Sequence, residues 1–304
     1  MKKFDVIGFG ALNVDKLYKV NRIAGPEEES FIISYEESCG GSAANTIVGL
    51  ARLGCRVGFI GKVAGDREGK MLVDDFRREG VNLKGIIRAK SGRSGTVLDF
   101  VDEKGDRALY VDPGVNDTIE FEEIDRKYAL KTEFLHLSSF AGERSFEAQR
   151  KLAESLPENI KVSMDPGILY ARMGLEKLGL LLKRVFVLMP NSRETALLTG
   201  EEDPAKGARK LLKLGIKIVA VKLGSRGCYV TDGKEEHHVE AFKVPVVDTT
   251  GAGDAFCAGF LYGLIHKKSL YDCGRLGNFV ASRCIMKVGA RTGLPRLEDL
   301  KLLL

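Results

Sequence analysis

The sequence predicts an α/β fold: a three-layer α/β/α sandwich on a parallel sheet, with a small β-sheet lid. Three observations predict it. Short β-branched runs alternate with amphipathic segments, the pattern of a parallel sheet covered by helices on both faces. Two strand-like stretches have no helix between them, so they must bury a face elsewhere, as a lid over one sheet edge does. Finally, 304 residues and 33.3 kDa suit one large domain, or one with a small appendage, and no Pro/Ser linker or internal repeat divides residues 1–304.

Taken in order, residues 4–9, 57–60, 134–137, 161–164, 185–188 and 217–222 read as buried strands, each a short apolar run. Residues 43–53, 68–79, 145–156, 193–198 and 204–214 carry apolar side chains at three and four spacing and read as helices. Residues 31–37 and 95–110 are the strands that break the alternation. The second contains a hairpin turn at Asp102-Glu103-Lys104-Gly105-Asp106. The lid is expected to use about 14–38 and 93–112.

Composition excludes several classes. The 47 basic and 42 acidic residues give a net charge of +5, but they are dispersed, with no basic run or aromatic-interleaved stripe of the kind that grips nucleic acid. The apolar stretches are far shorter than the roughly 20 residues a membrane span needs. The start, Met1-Lys2-Lys3-Phe4-Asp5, runs directly into a strand without an apolar signal core, so a cytoplasmic location is expected. Cysteines at 39, 55, 228, 257, 273 and 284 form no CxxC pair and are expected as buried free thiols. His136, His237, His238 and His266 do not cluster at metal-ligand spacing.

Glycine, at 35 residues, is the unusual component, and three clusters of it carry chemistry. The first is Asp248-Thr249-Thr250-Gly251-Ala252-Gly253-Asp254, followed by a helical run of small residues at 257–266. A helix N-terminus presents unpaired N–H groups, and Gly251 and Gly253 remove the side chains that would keep a phosphate-sized anion away from them. Asp254 either caps this helix or takes a proton from an attacking hydroxyl. The second cluster, Gly40-Gly41 with Asn45, is a plain strand-to-helix turn or a close approach to a ligand whose hydroxyls Asn45 would read. In the third, Gly8-Phe9-Gly10 leads to Asn13 and Asp15, two more hydroxyl-reading side chains. Asn13 stands where a dinucleotide fingerprint needs its third glycine, and the 65–70 segment has the wrong spacing for a Walker loop.

In this order, Asn13/Asp15, Gly40-Gly41 to Asn45, Asn191-Ser192-Arg193-Glu194 and Gly251 to Asp254 resemble the ribokinase (PfkB) family of carbohydrate and nucleoside kinases, over essentially the whole chain. The resemblance implies a ribokinase-like kinase domain that moves the γ-phosphoryl group of ATP to a hydroxymethyl group of a small carbohydrate, ribose-, fructose- or keto-deoxy-sugar-like. Asp254 would be the catalytic base, with the N–H groups of Gly251, Ala252 and Gly253 as the anion hole. Asn13, Asp15, Gly40, Gly41 and Asn45 would bind the acceptor. Asn191, Lys222, Gly224, Gly227 and Asn278 would line the nucleotide site. Glu194 would hold Mg²⁺ through water, and Asp248 and Thr250 a K⁺ ion.

The resemblance also implies a lid whose Leu98, Phe100 and Leu109 either exclude water from the cleft or form a homodimer face. A nucleoside kinase with Phe100 or Phe140 stacking a base is the alternative. A non-catalytic sugar or nucleotide sensor is a third reading, against which the intact Asp254 argues. An acceptor that already carries a phosphate is disfavoured, because no Lys or Arg adjoins the N-terminal acceptor motifs. Arg93, Glu143 and Arg144 fall near acceptor-deciding segments and are expected to be structural.

Overall fold

The computed structural model describes residues 3–303, so Met1, Lys2 and Leu304 lie outside it. Thirteen strands occur among these residues: β1 Phe4–Phe9, β2 Asn13–Val20, β3 Ile32–Gly40, β4 Val57–Val63, β5 Asn82–Arg88, β6 Gly95–Val101, β7 Arg107–Asp112, β8 Thr132–Ser138, β9 Lys161–Asp165, β10 Val185–Leu188, β11 Ile218–Lys222, β12 Cys228–Thr231 and β13 Glu236–Val239. The helices are α1 Ser42–Arg52, α2 Arg67–Arg78, α3 Arg126–Ala129, α4 Glu143–Ser155, α5 Gly167–Leu182, α6 Ser192–Thr199, α7 Pro204–Leu212, α8 Ala252–Ile265 and α9 Leu270–Cys284.

Nine strands form one sheet in the order β13-β12-β11-β10-β9-β8-β1-β4-β5. It is parallel from β5 through to β11, but β12 and β13 add an antiparallel edge, a departure from the all-parallel expectation. The apolar runs become strands because helices cover both faces; all seven residues of β4 are buried. One face packs on α1, α2, α8 and α9 through Ile47, Phe76, Phe256 and Val280. The other packs on α4, α5 and α7 through Phe146, Leu152, Leu181 and Leu211. Strand order reverses at β1, whose neighbours are β4 and β8, and the crevice beyond the strand ends at such a point is where open α/β sheets bind ligands.

Four strands leave this sheet and form a second one, ordered β3-β2-β6-β7. Its register places Asn13, Asp15 and Leu17 on one face with Gly40, Ser38, Val97, Asp99, Leu109 and Val111. The opposite face carries Tyr35, Tyr18, Phe100 and Tyr110 as an aromatic ladder, with neighbouring rings 4.8 to 6.0 Å apart. Near its base that face meets α2, where Lys16 pairs with Glu68 at 2.7 Å and Glu37 with Arg67. The alternation places Leu98 and Phe100 on the face away from Asp15, which removes them from the water-excluding alternative and leaves the dimer-face one; of the three, only Leu109 shares the Asp15 face.

Candidate active site

The segments singled out by their glycines converge beyond the carboxyl ends of the large sheet. Asp254 lies in the first turn of α8 and is the point of contact between them. Its Oδ1 accepts from Ser42 Oγ at 2.7 Å and its Oδ2 from Asn45 Nδ2 at 2.8 Å, both donors on the first turn of α1. Thr46 Oγ1 donates to the Asp254 carbonyl at 3.1 Å, which ties the two helix starts together. Burial raises the carboxyl of Asp254 to about 6, with Asp165 pushing the same way against the hydrogen bonds from Asn45 and Ser42 and the charge of Lys222.

Gly251 caps α8 with φ 76, and a Cβ there would lie 2.6 Å from the Ala290 backbone, so both its conformation and its contact require glycine. The Ala252 N–H already donates to the Thr249 carbonyl at 3.2 Å. This corrects the three-donor expectation. Among the described residues at this helix end, the N–H groups of Gly251, Gly253 and Asp254 have no backbone acceptor, the condition for an anion to be held there.

A cleft of about 750 Å³ runs past this helix end and is lined by Asn191, Glu194, Lys222, Gly224, Gly227 and Asn278, together with Gly253 and Asp254. Asn191 and Glu194 form a reciprocal capping box at the start of α6: Glu194 N donates to Asn191 Oδ1 at 2.8 Å, and Asn191 N to Glu194 Oε2 at 2.8 Å. Their spacing thus has a local structural use, and it also buries the Glu194 carboxylate beside the cleft, where burial and Asp165 raise its carboxyl. Asn278 lines the cleft as expected, but its Nδ2 donates to the Val239 and Glu240 carbonyls at 2.9 and 3.0 Å, so its amide N–H groups are not offered to the cleft. Lys222 Nζ lies 2.5 Å from Asp165 Oδ2; burial alone would lower this ammonium, but Asp165 holds it protonated.

The residues expected to bind the acceptor gather at the base of the lid. Gly40 has no room for a Cβ, which would fall 2.1 Å from Asp15 Oδ2, and Gly41, at φ 104, abuts the Ala11 carbonyl. Burial raises the Asp15 carboxyl to about 6, opposed by Arg291 and reinforced by Asp254 and Asp99. Asn13 Oδ1 accepts from Asn116 Nδ2 at 2.9 Å. Asp248 closes its loop on itself, accepting from Thr250 N and Oγ1 at 2.9 and 2.7 Å and from Gly289 N at 2.8 Å.

Burial and placement bear on further expectations, and they correct the base-stacking one. Phe140 is a core residue packed edge-on against Phe9, so neither it nor Phe100 is available to stack a base. His136 is fully buried beside Ser163 with burial lowering it to about 4, a neutral core histidine. Arg93, Glu143 and Arg144 make exposed ion pairs with Asp112, Lys177 and Glu120. The six cysteines are free thiols, five buried and Cys55 partly so. No helix among the described residues is long and apolar enough to cross a membrane.

Sequence reasoning missed Asp165, Asn116, Arg107 and Arg291. Asp165 carried a usable signal, a carboxylate at the carboxyl end of a buried strand. Arg107 sits on the lid in register with Val101, on the Asp15 face, and pairs with buried Asp99. Burial would raise the Asp248 carboxyl, but hydrogen bonds from Gly289 and Thr250 hold it low, with the Arg107 charge adding to them.

Comparison with known proteins agrees with this geometry. The chain matches the pfkB family carbohydrate kinases over residues 3–297. An uncharacterized sugar kinase of Archaeoglobus fulgidus is 50% identical over 255 residues, which is 83% of this chain and 100% of that protein. An ATP-dependent ribose-1-phosphate kinase of Halopiger xanaduensis is 34% identical over 256 residues, covering 84% of this chain and 83% of that one. Among solved structures, a ribokinase of Thermotoga maritima superposes with a TM-score of 0.87 at 28% identity over 98% of each chain. With its glycine-capped helix end, its switch-point crevice and these relatives, the chain belongs to the pfkB family and is a sugar kinase.

Proposed function

We propose that the enzyme transfers the γ-phosphoryl group of ATP to a hydroxymethyl group of a small sugar, with Asp254 as general base. One observation carries the reading: the Asp254 carboxylate stands between the open N–H groups of the α8 start and the acceptor-side turn, fixed by Ser42 and Asn45. In that position it takes the proton from an acceptor hydroxyl as the oxygen attacks phosphorus, while Gly251 and Gly253 N–H groups hold the charge gathering on the transferred oxygens. A carboxyl that titrates at about 6 is ionised at neutral pH yet basic enough to accept that proton. Lys222, 2.5 Å from Asp165 and so placed that a Cβ on Gly253 would lie 3.3 Å from its Nζ, adds a fixed positive charge on the same side.

The donor set fits hard cations. Glu194 and Asp165 are carboxylates lining the cleft, suited to Mg²⁺ held through water, and the Asp248/Thr250 loop offers only oxygen to a K⁺ ion. Bound Mg²⁺ would neutralise and orient the ATP phosphates. The lid supports closure over the acceptor, and its exposed edges, with Phe31 at 72% and Tyr110 at 62% exposure, support a homodimer through the lid. Free thiols suit a reducing, cytoplasmic setting.

A second reading, an acceptor that already carries a phosphate, is favoured by Arg107. Lys16, next to Asp15 in sequence, lies on the opposite lid face and is paired with Glu68, but Arg107 lies on the same lid face as Asp15, and the Halopiger relative is named for such a substrate. The test is ADP release against ribose, fructose, 2-keto-3-deoxygluconate, ribose 1-phosphate and nucleosides, with and without K⁺. Stimulation by the neutral sugars supports the first reading, stimulation by ribose 1-phosphate alone the second, and stimulation only by nucleosides overturns both.

A further inference from the structure

A primary amide has one acceptor and one donor end, and its orientation is set by its partners. Asn45 is buried, and its two ends meet opposite chemistry. Nδ2 donates to Asp254 Oδ2 at 2.8 Å, and Oδ1 accepts from Arg291 Nε at 2.7 Å. A guanidinium has only donors and an ionised carboxylate only acceptors, so rotating the amide by half a turn opposes both contacts at once. Removing the guanidinium leaves the amide held at one end.

Arg291 comes from the C-terminal loop and is itself 9% exposed. Its Nη1 pairs with Asp75 of α2, its Nη2 donates to the Gly40 carbonyl at 3.3 Å, and its own carbonyl accepts from Arg52 at 2.6 Å. One side chain therefore touches the amide that holds Asp254 and the diglycine turn over which Asp15 lies. Its charge is the main influence opposing the raised Asp15 carboxyl. A buried ion pair is weak support for stability by itself, since an apolar side chain of similar volume often serves as well. The directional contact with Asn45 is what an apolar replacement cannot supply.

We propose that Arg291 is a positioning residue for phosphoryl transfer, fixing the Asn45 amide so that its N–H holds the Asp254 carboxylate toward the acceptor, and fixing the Gly40 carbonyl at the acceptor turn. The proposal rests on Asp254 being the base. The experiment compares steady-state kinetics of Arg291→Met, Arg291→Lys, Asn45→Ala and the Arg291→Met/Asn45→Ala double variant, using the sugar found active with the natural enzyme. Misplacing a catalytic group by about an ångström costs on the order of 10²-fold, so Arg291→Met is expected to lower kcat about 10- to 100-fold. The KM for sugar should rise and that for ATP stay within about twofold, and the double variant should be no slower than Asn45→Ala alone, since residues acting through one another are not additive.

Arg291→Lys keeps the charge beside Asp75 but lacks the fork, so its Tm should recover while kcat stays low. A purely structural role is the opposite outcome: activity returning with Tm in the Lys variant, or additive losses in the double variant, overturns the proposal. If Arg291→Met does not fold, Asp75→Asn loosens the same guanidinium from its outer side; unchanged kcat and sugar KM there also overturn it. Failure of the base reading is seen separately, as full turnover in Asp254→Asn; failure of the Arg291 proposal alone is seen as a lost turnover in Asp254→Asn together with additive kcat losses in the Arg291→Met/Asn45→Ala double variant.

Discussion

All seven residues of β4 are buried, whereas none of the six residues of β7 is. The first belongs to a floor gripped between two helical layers, the second to the outer edge of a sheet held mainly by its own cross-strand pairs. Aromatic pairs such as Tyr18–Tyr35 and Tyr18–Phe100 contribute about 0.5–1.5 kcal/mol each beyond the area they bury. That is enough to keep the lid's register but small beside the packing of the floor, and segments with few buried contacts open at lower free energy than the core. The site is divided along the same line. Asp254, the α8 start and Lys222 belong to the floor, whereas Asn13, Asp15 and Arg107 belong to the lid. Rate should therefore depend on the first region and acceptor recognition on the second.

The sharpest way to break that division is Asp254→Asn on the floor. Turnover is expected to fall by roughly 10² to 10⁴ or more, as for a lost general base, while ATP affinity measured by calorimetry stays nearly constant. A turnover within a few-fold of the natural enzyme would remove Asp254 from the chemistry.

Acidification tests the same carboxyl with a smaller effect. Its folded value of about 6 exceeds the ordinary 3.8, so kcat/KM should drop about tenfold for each pH unit below 6. The sign for stability is opposite: a carboxyl raised on folding binds its proton more tightly in the native state, so Asp254 and Asp15 add stability as pH falls from 7 towards 4. The expected signature between pH 7 and 5 is falling activity without a falling Tm. Parallel decline of both would indicate unfolding instead of titration at the site.

The smallest change is expected from Tyr18→Ala on the lid, which deletes two ring stacks. Sugar KM should rise a few-fold with kcat and the main unfolding transition little altered, because each stack contributes only about 1 kcal/mol. A large fall in Tm would show that lid and floor unfold together and that the contrast drawn above is wrong.

Much of the floor was legible because its strands are unbroken apolar runs bounded by turn signals. β2 and β5 were not read as strands: Asn-Val-Asp-Lys-Leu-Tyr-Lys-Val alternates with charge because one side faces the cleft and the other α2 and solvent, and β5 is interrupted by Gly85. α5 was hidden by Gly174, whose φ of 72 breaks the helical pattern. In the site, Gly40, Gly41, Asn45, Gly251 and Asp254 were legible because each lies in a short motif with a local physical reason. Asp165, Arg107 and Arg291 have no such context. Their partners are Lys222, Asp99 and Asn45, and for Lys222 and Asn45 the chain must fold across 57 and 246 positions to bring the pair together.

The ladder that roots the lid has a consequence for how such an enzyme can change. Asn13 lies opposite both Gly40 and Gly95, and Thr96 lies opposite Asp112. Each of the two excursions that build the lid thus departs from and returns to one spot on the floor, and no strand of the nine-stranded sheet intervenes within either. Segments whose ends already meet can be lengthened or exchanged at little entropic cost to the rest of the chain. The lid is in this sense a pair of grafts on a common rootstock, and a lineage can rewrite what is phosphorylated while leaving untouched how the phosphoryl group is moved.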